Sequence, residues 1–257
     1  MKIANYLIKP FFSILVISSF SLVINAQEIS AVIEDIIVTA EKRTESLQDL
    51  SQAVTVLTSD DLDKKQISTF VDISAIAPGV NVAKNEGFKT VITIRGVGYE
   101  TNQNAIATPS VSYHLDGIYI ASPYSLQTEF MDLERIEVLR GPQGTLFGQN
   151  STGGAINVIT SAPSLEESSS YGDITIGDYS LIKTRASFNR PLSETLAVRA
   201  SFITHKRDGF TDNLSTGQDL DDADSISARV RFLYQPSATF RANFTAQIFD
   251  ENRNGSA

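Results

Sequence analysis

The 257-residue sequence contains no cysteine and only two histidines, His114 and His205. The absence of cysteine excludes disulfide scaffolds, thiolate metal sites and cysteine nucleophiles. Because the two histidines are far apart in the sequence, an imidazole-rich zinc or haem site is not expected either. No histidine or carboxylate pair stands beside a nucleophile motif, so the sequence predicts neither an enzyme nor a bound cofactor or metal ion.

Basic residues are also few, because 21 lysines and arginines stand against 30 aspartates and glutamates, for a formal net charge of -9. Nucleic-acid binding depends largely on lysine and arginine contacts with phosphates, so this acidic balance disfavours a nucleic-acid partner. With 42% apolar residues the chain can form a folded core. After these exclusions, the composition is compatible with an acidic protein that is globular or associated with a membrane.

The N-terminus has the pattern of an export signal. Lys2 and Lys9 precede an apolar run of 14 residues, Phe11–Ile24, which is followed by Asn25 and Ala26. A membrane-spanning helix needs about 20 apolar residues, so a run of this length fits a signal-peptide core better than an anchor. We predict a signal peptide over residues 1–26, cleaved after Ala26, and a linker over residues 27–48.

The last third of the sequence alternates with a period of two, apolar at even positions and polar at odd positions, which is typical of strands with one apolar face. Five such runs of about 10 residues fit tilted transmembrane strands, although a soluble sandwich with one hydrated face would show the same pattern. Representative even residues are Phe188, Phe202, Phe232 and Phe244, and representative odd residues are Arg185, Arg199, Arg231 and Arg241.

The connections between these runs alternate in length. Pro191 and Pro236 predict two tight turns, whereas residues 208–224 predict a loop of 17 residues rich in aspartate. Outer-membrane barrels have short periplasmic turns and longer outer loops, and five strands cannot close such a barrel. We therefore expect residues 168–257 to be the first five strands of a larger barrel. The acidic loop does not match the calcium-binding EF-hand pattern, which favours a solvated loop over a calcium site.

Residues 49–163 have a different, mixed α/β pattern. A short strand before Ser59 leads into a helix start, and Phe70 to Ala77 recur at helical spacing until Pro78. Asp116 and Gly117 predict a type I′ hairpin turn. The glycines between 141 and 154 match neither the Walker nor the dinucleotide spacing, so tight turns explain them better than a phosphate site.

Four segments between residues 34 and 160 resemble parts of the TonB-dependent outer-membrane receptors. Asp132–Gly148, continued by Ser151–Thr160, is similar to the family's plug domain, and Ile94–Gly98 and Tyr113–Tyr119 resemble two further plug motifs. Glu34–Ala40 resembles the TonB box. The resemblance implies an α/β plug domain followed by antiparallel transmembrane strands of a barrel of about 22 strands. It also implies outer-membrane lipid around the barrel and a TonB-type periplasmic protein that supplies energy.

Within the domains that the resemblance implies, the residue types and positions predict roles for three groups of residues. The first, a short β-prone stretch, would bind the periplasmic partner by adding a strand to its sheet, although it could also be an ordinary first strand. The second, in turn-rich segments, would contact a small organic or metal-chelate ligand through an aromatic face and amides, although it could also be a mobile polar loop without ligand contact. The partner-binding residues are Ile36, Ile37, Val38, Thr39 and Ala40, and the ligand-binding residues are Phe88, Tyr99, Asn102, Gln103 and Asn104.

The third group is structural. Three of its charged members, Arg95, Glu137 and Arg140, are expected to form charge-assisted pairs that lock the plug or contact the barrel wall, in preference to binding substrate. The alternative is that they are surface charges that contribute little to stability. The whole group comprises Arg95, Gly96, Asp116, Gly117, Glu137, Arg140, Gly141, Pro142, Gly153 and Gly154.

The function implied by the resemblance is active uptake of a scarce ligand, with a ferric siderophore or another iron chelate preferred. Uptake of a vitamin or an oligosaccharide is an alternative, as is a non-transporting outer-membrane binding protein. Coupling to an energised partner distinguishes the transporter from the binding protein.

Overall fold

The computed structural model describes residues 37–38, 45–46, 52–85, 89–98, 108–122 and 129–255. The predicted signal peptide lies outside these ranges, as do Ile36, Thr39 and Ala40 of the predicted partner-binding segment. All five predicted ligand-binding residues lie outside them as well. Within the described ranges, no helix is both long enough and apolar enough to cross a membrane.

A five-stranded sheet forms the centre of an α/β domain, which we define as residues 52–160. Its strand order is β3-β9-β10-β7-β8, with β10 antiparallel to β9 and parallel to β7. The strands are β3 (Val54–Thr58), β7 (Val111–Leu115), β8 (Ile118–Tyr119), β9 (Leu133–Arg140) and β10 (Gly154–Thr160).

Two smaller sheets precede or flank this one. The first joins β1 (Ile37–Val38) to β2 (Glu45–Ser46) in antiparallel register. The second is a meander of β4 (Val80–Asn85), β5 (Lys89–Ile94) and β6 (Val97–Gly98). After β5 the chain turns at Arg95 and Gly96 and pairs Val97 with Ile94.

Three short helices complete the described part of the domain. The predicted helix start at Ser59 is confirmed, since α1 spans Ser59–Lys64, and its cap is Thr58. Asp61 N–H donates to Thr58 Oγ1 at 3.2 Å while Asp61 Oδ2 accepts from Thr58 N–H, a reciprocal capping box. The other two helices are α2 (Phe70–Ile73) and α3 (Gly144–Phe147). The α2 helix is shorter than the spacing from Phe70 to Ala77 predicted, because the N–H groups of residues 74 to 76 donate to carbonyls three residues earlier and close successive tight turns instead of an α-helix.

The main core lies on one face of the five-stranded sheet. Ile136, Val138 and Ile156 from this face are fully buried against Phe70 and Ile73 from α2. The Phe70 ring meets the rings of Tyr113 and Phe130 edge-on at 5.0 and 4.9 Å. Leu139 and Ala155 point to the other face and pack against Phe147 of α3.

The predicted hairpin turn is confirmed. Asp116 and Gly117 connect β7 to β8 with φ angles of 49° and 80°, so both central residues have the positive φ of a type I′ turn. Aspartate tolerates this region better than most side chains, and glycine adopts it without steric cost. The Asp-Gly sequence therefore fixes the turn.

A second five-stranded sheet, the wall, follows the α/β domain. All its neighbouring strands are antiparallel, in the order β11-β12-β13-β16-β17, which confirms the five predicted strands. Even-numbered apolar residues point away from the α/β domain, and Phe188 and Phe244 are 54% and 63% exposed. The strands are β11 (Ser169–Gly177), β12 (Leu181–Ser193), β13 (Leu196–Arg207), β16 (Ala223–Ser237) and β17 (Phe240–Glu251).

Three predicted connections of the wall differ from the structure in their bounds. Pro191 and Pro236 lie inside β12 and β16, and the turns follow at residues 194–195 and 238–239. Both prolines coincide with shifts in the strand register, the kind of irregular position at which a sheet tolerates a residue without an N–H. The long acidic loop is also shorter than predicted, because β16 begins at Ala223 and the loop contains a hairpin of β14 (Thr211–Asp212) and β15 (Asp219–Leu220).

Candidate functional site: the contact between the α/β domain and the wall

Carboxylates of the α/β domain meet basic side chains on the inner face of the wall. Asp132, just before β9, accepts hydrogen bonds from Arg199 Nε at 2.7 Å and from Arg199 Nη2 at 2.5 Å. The Ser201 hydroxyl donates to the same carboxylate. Burial alone would raise the pKa of Asp132, but these hydrogen bonds and the charge of Arg199 outweigh it and hold the pKa below its usual value.

Glu129 joins two neighbouring strands of the wall. Lys183 on β12 and His205 on β13 are directly opposite each other in the register. The Glu129 carboxylate lies 2.6 Å from Lys183 Nζ and is hydrogen-bonded to His205 Nδ1. Burial would raise the pKa of Glu129, but the His205 hydrogen bond and the Lys183 charge lower it overall. Glu129 is therefore held ionised between two basic side chains.

Arg231 of β16 binds the end of the α/β domain. Its Nη1 donates to the carbonyl oxygens of Thr160 at 3.0 Å and Ser161 at 3.1 Å, and also to Thr160 Oγ1. Asp116 Oδ2 lies 3.7 Å from the same nitrogen. The Asp116 carboxylate also accepts hydrogen bonds from Thr160 N–H and Oγ1, so the hairpin turn, the end of β10 and the wall form one network.

Two further arginines extend the contact. Arg229 Nη1 donates to the Met131 carbonyl oxygen at 3.1 Å, and its Nε donates to Gln247 Oε1 at 2.9 Å. Arg185 Nη1 donates to Asp63 Oδ1 of α1 at 2.9 Å while its Nε donates to Asp173 of β11. The wall therefore contacts α1, the segment before β9 and the end of β10.

The predicted lock residues lie mainly within the α/β domain. Glu137 is fully buried and accepts hydrogen bonds from Arg135 Nε at 2.9 Å and Asn157 Nδ2 at 3.0 Å. The Arg140 guanidinium donates to Thr55 on β3. Arg95 occupies an exposed turn with φ of 53°, and its N–H donates to Gly79. The geometry thus places Arg95, Glu137 and Arg140 in three separate environments.

The predicted structural glycines lie where backbones turn or approach closely. Gly96 and Gly141 have φ angles of 77° and 93°, and the exposed Pro142 follows Gly141. A Cβ atom on Gly153 would lie 2.9 Å from Val97 Cγ1. A Cβ atom on Gly154 would lie 2.4 Å from the Leu139 carbonyl oxygen. These positions let β10 pack against β9 and β6.

Three acidic residues that contact the wall, Asp63, Glu129 and Asp132, were not among the predicted structural residues. The odd-numbered arginines of the wall were a usable signal, because buried guanidinium groups need carboxylate or carbonyl partners. The sequence could not identify which acids supply them, since Asp132 is 67 residues from Arg199 and Asp63 is 122 residues from Arg185.

Cavities that the described residues line lie along the contact. One of about 230 Å³ is bounded by α1 and strands β11 to β13, with Asp63, Asp132 and Arg185 in its lining. Another, of about 320 Å³, lies beside the β14–β15 hairpin and is lined by Glu129, His205, Arg207 and Phe210 among others. The described residues contain no group of three or more histidines, aspartates and glutamates arranged to hold a metal ion.

Comparison with known proteins agrees with this architecture. Residues 46–155 match the TonB-dependent Receptor Plug Domain. The pesticin receptor of Yersinia pestis is 31% identical over 204 residues, which cover 76% of this chain and 29% of that receptor. The vitamin B12 transporter BtuB of Vibrio vulnificus is 25% identical, over 91% of this chain and 36% of that protein.

The fold is also shared with a solved receptor. The ferric yersiniabactin uptake receptor FyuA from Yersinia pestis superposes with a TM-score of 0.67 and 24% sequence identity, over 76% of this chain and 31% of that one. The chain belongs to the TonB-dependent receptors, and its α/β domain is their plug followed by strands of the plugged barrel. It spans 29% and 36% of the lengths of the two curated relatives.

Proposed function

We propose that the full-length protein is an outer-membrane receptor that imports a ferric chelate with energy from a TonB-type periplasmic protein. The observation that carries this proposal is the set of ion pairs by which the α/β domain binds the inner face of the wall, from Asp132 to Arg199 and from Glu129 to Lys183. Such a plug has to move before a ligand can pass. Export by the predicted signal peptide, residues 1–26, is part of the proposal.

The preference for iron rests on the relatives. The ferric enterobactin receptor PirA of Pseudomonas aeruginosa is 28% identical over 208 residues, and the superposed FyuA structure is a ferric yersiniabactin uptake receptor. The BtuB match supports a second candidate, uptake of a vitamin such as vitamin B12. Growth of a deletion strain carrying the full-length gene, with ferric chelates or vitamin B12 as the limiting nutrient, separates the two candidates.

Energy coupling is assigned to residues 36–40. The backbone of Ile37 and Val38 already forms a strand, paired with Ser46 and Glu45. A segment that adopts this conformation can add a strand to the edge of a partner's sheet. Binding of the periplasmic protein would then extend or replace the β1–β2 pairing.

An Ile37→Pro variant of the full-length receptor tests this assignment. Proline removes the backbone N–H and resists strand pairing, so we expect uptake to fall while ligand binding at the cell surface is retained. The matched control is Ile37→Val, which keeps the N–H and the β propensity. Equal uptake by wild type and Ile37→Pro at matched expression would contradict the coupling role.

The uptake assay and the ligand-binding assay also test the five residues predicted to bind the ligand. We propose that Phe88, Tyr99, Asn102, Gln103 and Asn104 contact the ligand, since an aromatic ring and amides suit an organic chelate better than a bare cation. In a Tyr99→Ala and Asn102→Ala double variant, binding of whichever chelate supports growth should weaken. An unchanged dissociation constant would assign recognition to other loops.

A further inference from the structure

The inner face of the wall is strongly basic in a chain that is acidic as a whole. Acidic residues outnumber lysine and arginine by 30 to 21 in the sequence. On the inward, odd-numbered positions of the five wall strands this balance is reversed, with Asp173 and Glu251 as the two acids against seven lysines and arginines. Six of these, which we call the basic strip, are Lys183, Arg185, Arg199, Arg207, Arg229 and Arg231.

The strand register places the basic strip on five successive inward-facing levels. Neighbouring levels are two residues apart, or about 7 Å along a strand. This spacing is shorter than the Debye length of about 8 Å at physiological ionic strength, so the potentials of basic residues on successive levels of the same strand overlap. Arg185 on β12 and Arg229 on β16 are farther apart, because β13 lies between their strands. From the end nearest the acidic loop, the levels carry Arg207, then Lys183, then Arg185, then Arg229, and finally the pair Arg199 and Arg231.

Anchoring the α/β domain does not account for all of these charges. Arg229 binds the domain through the Met131 carbonyl oxygen, and Arg207 binds the Asp221 carbonyl oxygen, contacts that a neutral donor could also make. Within the described ranges, neither Arg207 nor Arg229 has a carboxylate within ion-pair distance. Arg207 lies over the Phe210 ring, 4.8 Å from its centroid, and Arg229 is attracted to Asp116 and Asp132 from beyond ion-pair distance, so both charges are only partly compensated.

The register also places like charges opposite each other. Arg199 and Arg231 are direct cross-strand partners on β13 and β16. Such a pair is destabilising in a sheet unless other groups compensate it. Here Asp132 binds Arg199 and Asp116 lies near Arg231, so the compensation comes from the α/β domain. When this domain moves away, the wall loses these acids and its inner surface becomes more positive.

We propose that the basic strip forms a path for anions along the wall, and that the transported ligand is a negatively charged chelate. This inference rests on the proposed uptake function and adds the charge class of the ligand. A surface lined by one sign of charge with low-dielectric walls concentrates counter-ions. A ligand carrying carboxylates or other anionic groups could exchange from one level to the next as the acids of the α/β domain withdraw.

Ion selectivity of the full-length receptor in a planar lipid bilayer tests this path without the ligand or the periplasmic partner. Urea loosens the α/β domain, while the wall strands keep their hydrogen bonds in lipid. The reversal potential in a potassium chloride gradient then gives the permeability of chloride relative to potassium. We expect chloride to be favoured, by up to roughly tenfold.

An Arg229→Gln and Arg231→Gln double variant should lose most of this selectivity. The matched control is Arg190→Gln with Lys206→Gln, which removes two positive charges from exposed, even-numbered positions of β12 and β13 and should keep the chloride preference. Arg229→Lys with Arg231→Lys keeps the charge and should retain the selectivity even if the contacts with the α/β domain weaken.

Three results would overturn the proposal: a cation-selective wild-type pore, no conductance under any loosening condition, or equal loss of selectivity in the control. Failure of the proposed uptake function would be detected in the growth assay instead. There, growth on ferric chelates would not depend on the receptor or on Ile37. The two failures are therefore distinguishable.

Discussion

Gly154 occupies a position that no other residue fits. Its φ of 151° is a conformation that L side chains rarely adopt, and a Cβ atom there would lie 2.4 Å from the Leu139 carbonyl oxygen and 2.7 Å from Ile94 Cδ1. The neighbouring backbone of β9 cannot move aside without breaking its pairing with β10. The glycine therefore sets the distance between the two central strands of the α/β domain.

A Gly154→Ala variant should destabilise the α/β domain by about 1 to 3 kcal/mol, the usual cost of overpacking, with backbone strain in addition. Hydrogen exchange of β9 and β10 in the full-length receptor measures the effect as lost protection. Gly144→Ala is the control, because no atom lies within 4 Å of a Cβ atom at that helical position. Unchanged protection in Gly154→Ala would mean that β9 can shift.

The charged interaction of Glu137 was predictable from the sequence, but the residues that bind it were not. The sequence indicated a charge-assisted interaction at this position, and the structure places the buried carboxylate between Arg135 and Asn157. The choice of partners depends on strand pairing, since Glu137 and Asn157 are opposite each other in β9 and β10. A single sequence does not contain that register.

The alternation of apolar and polar side chains in the wall was predictable, because each strand shows a period of two in its own sequence. Phe232 and Phe244 are paired on the outward face, and Arg231 and Thr245 are paired on the inward face next to them. Register in an antiparallel sheet follows once turn positions are known. The turns were misplaced by two to three residues because proline was interpreted as a turn residue, whereas here it lies at a bulge.

The outward face of the wall is expected to contact lipid, which gives a prediction for two adjacent residues of β16. Val230 is 37% exposed on the outward face, whereas Arg229 is buried on the inward face. An arginine facing lipid near the membrane centre costs about 2 to 4 kcal/mol. Val230→Arg should therefore impair membrane assembly more than Arg229→Val does. A folding assay of the full-length receptor in lipid vesicles measures both, and the reverse order would contradict the assignment of faces.

The association of the α/β domain with the wall is a property of the whole molecule that local patterns do not reveal. Each half could be predicted from its own periodicity and turn residues. The contacts between them join Asp63 and Asp132 to arginines 122 and 67 residues away. Charge alone does not select among so many acids, so only the folded arrangement identifies Glu129 and Asp132 as the residues that bind Lys183, His205 and Arg199.

This association should weaken in acid. The pKa values of Glu129 and Asp132 lie below the ordinary values of 4.5 and 3.8 when the domain is bound to the wall. Binding therefore favours the ionised carboxylates, and the stabilisation is fully present above these ordinary values and lost as the pH falls through the lowered ones. Hydrogen exchange of residues 129–133 in the full-length receptor, corrected for the intrinsic effect of pH, should show constant protection from pH 7 to about 5 and a loss below about 4. An Asp132→Asn variant lacks one of the two titrating groups and should show a smaller loss of protection between about pH 5 and pH 4.

Protection that increases as the pH falls would contradict the role of the two carboxylates.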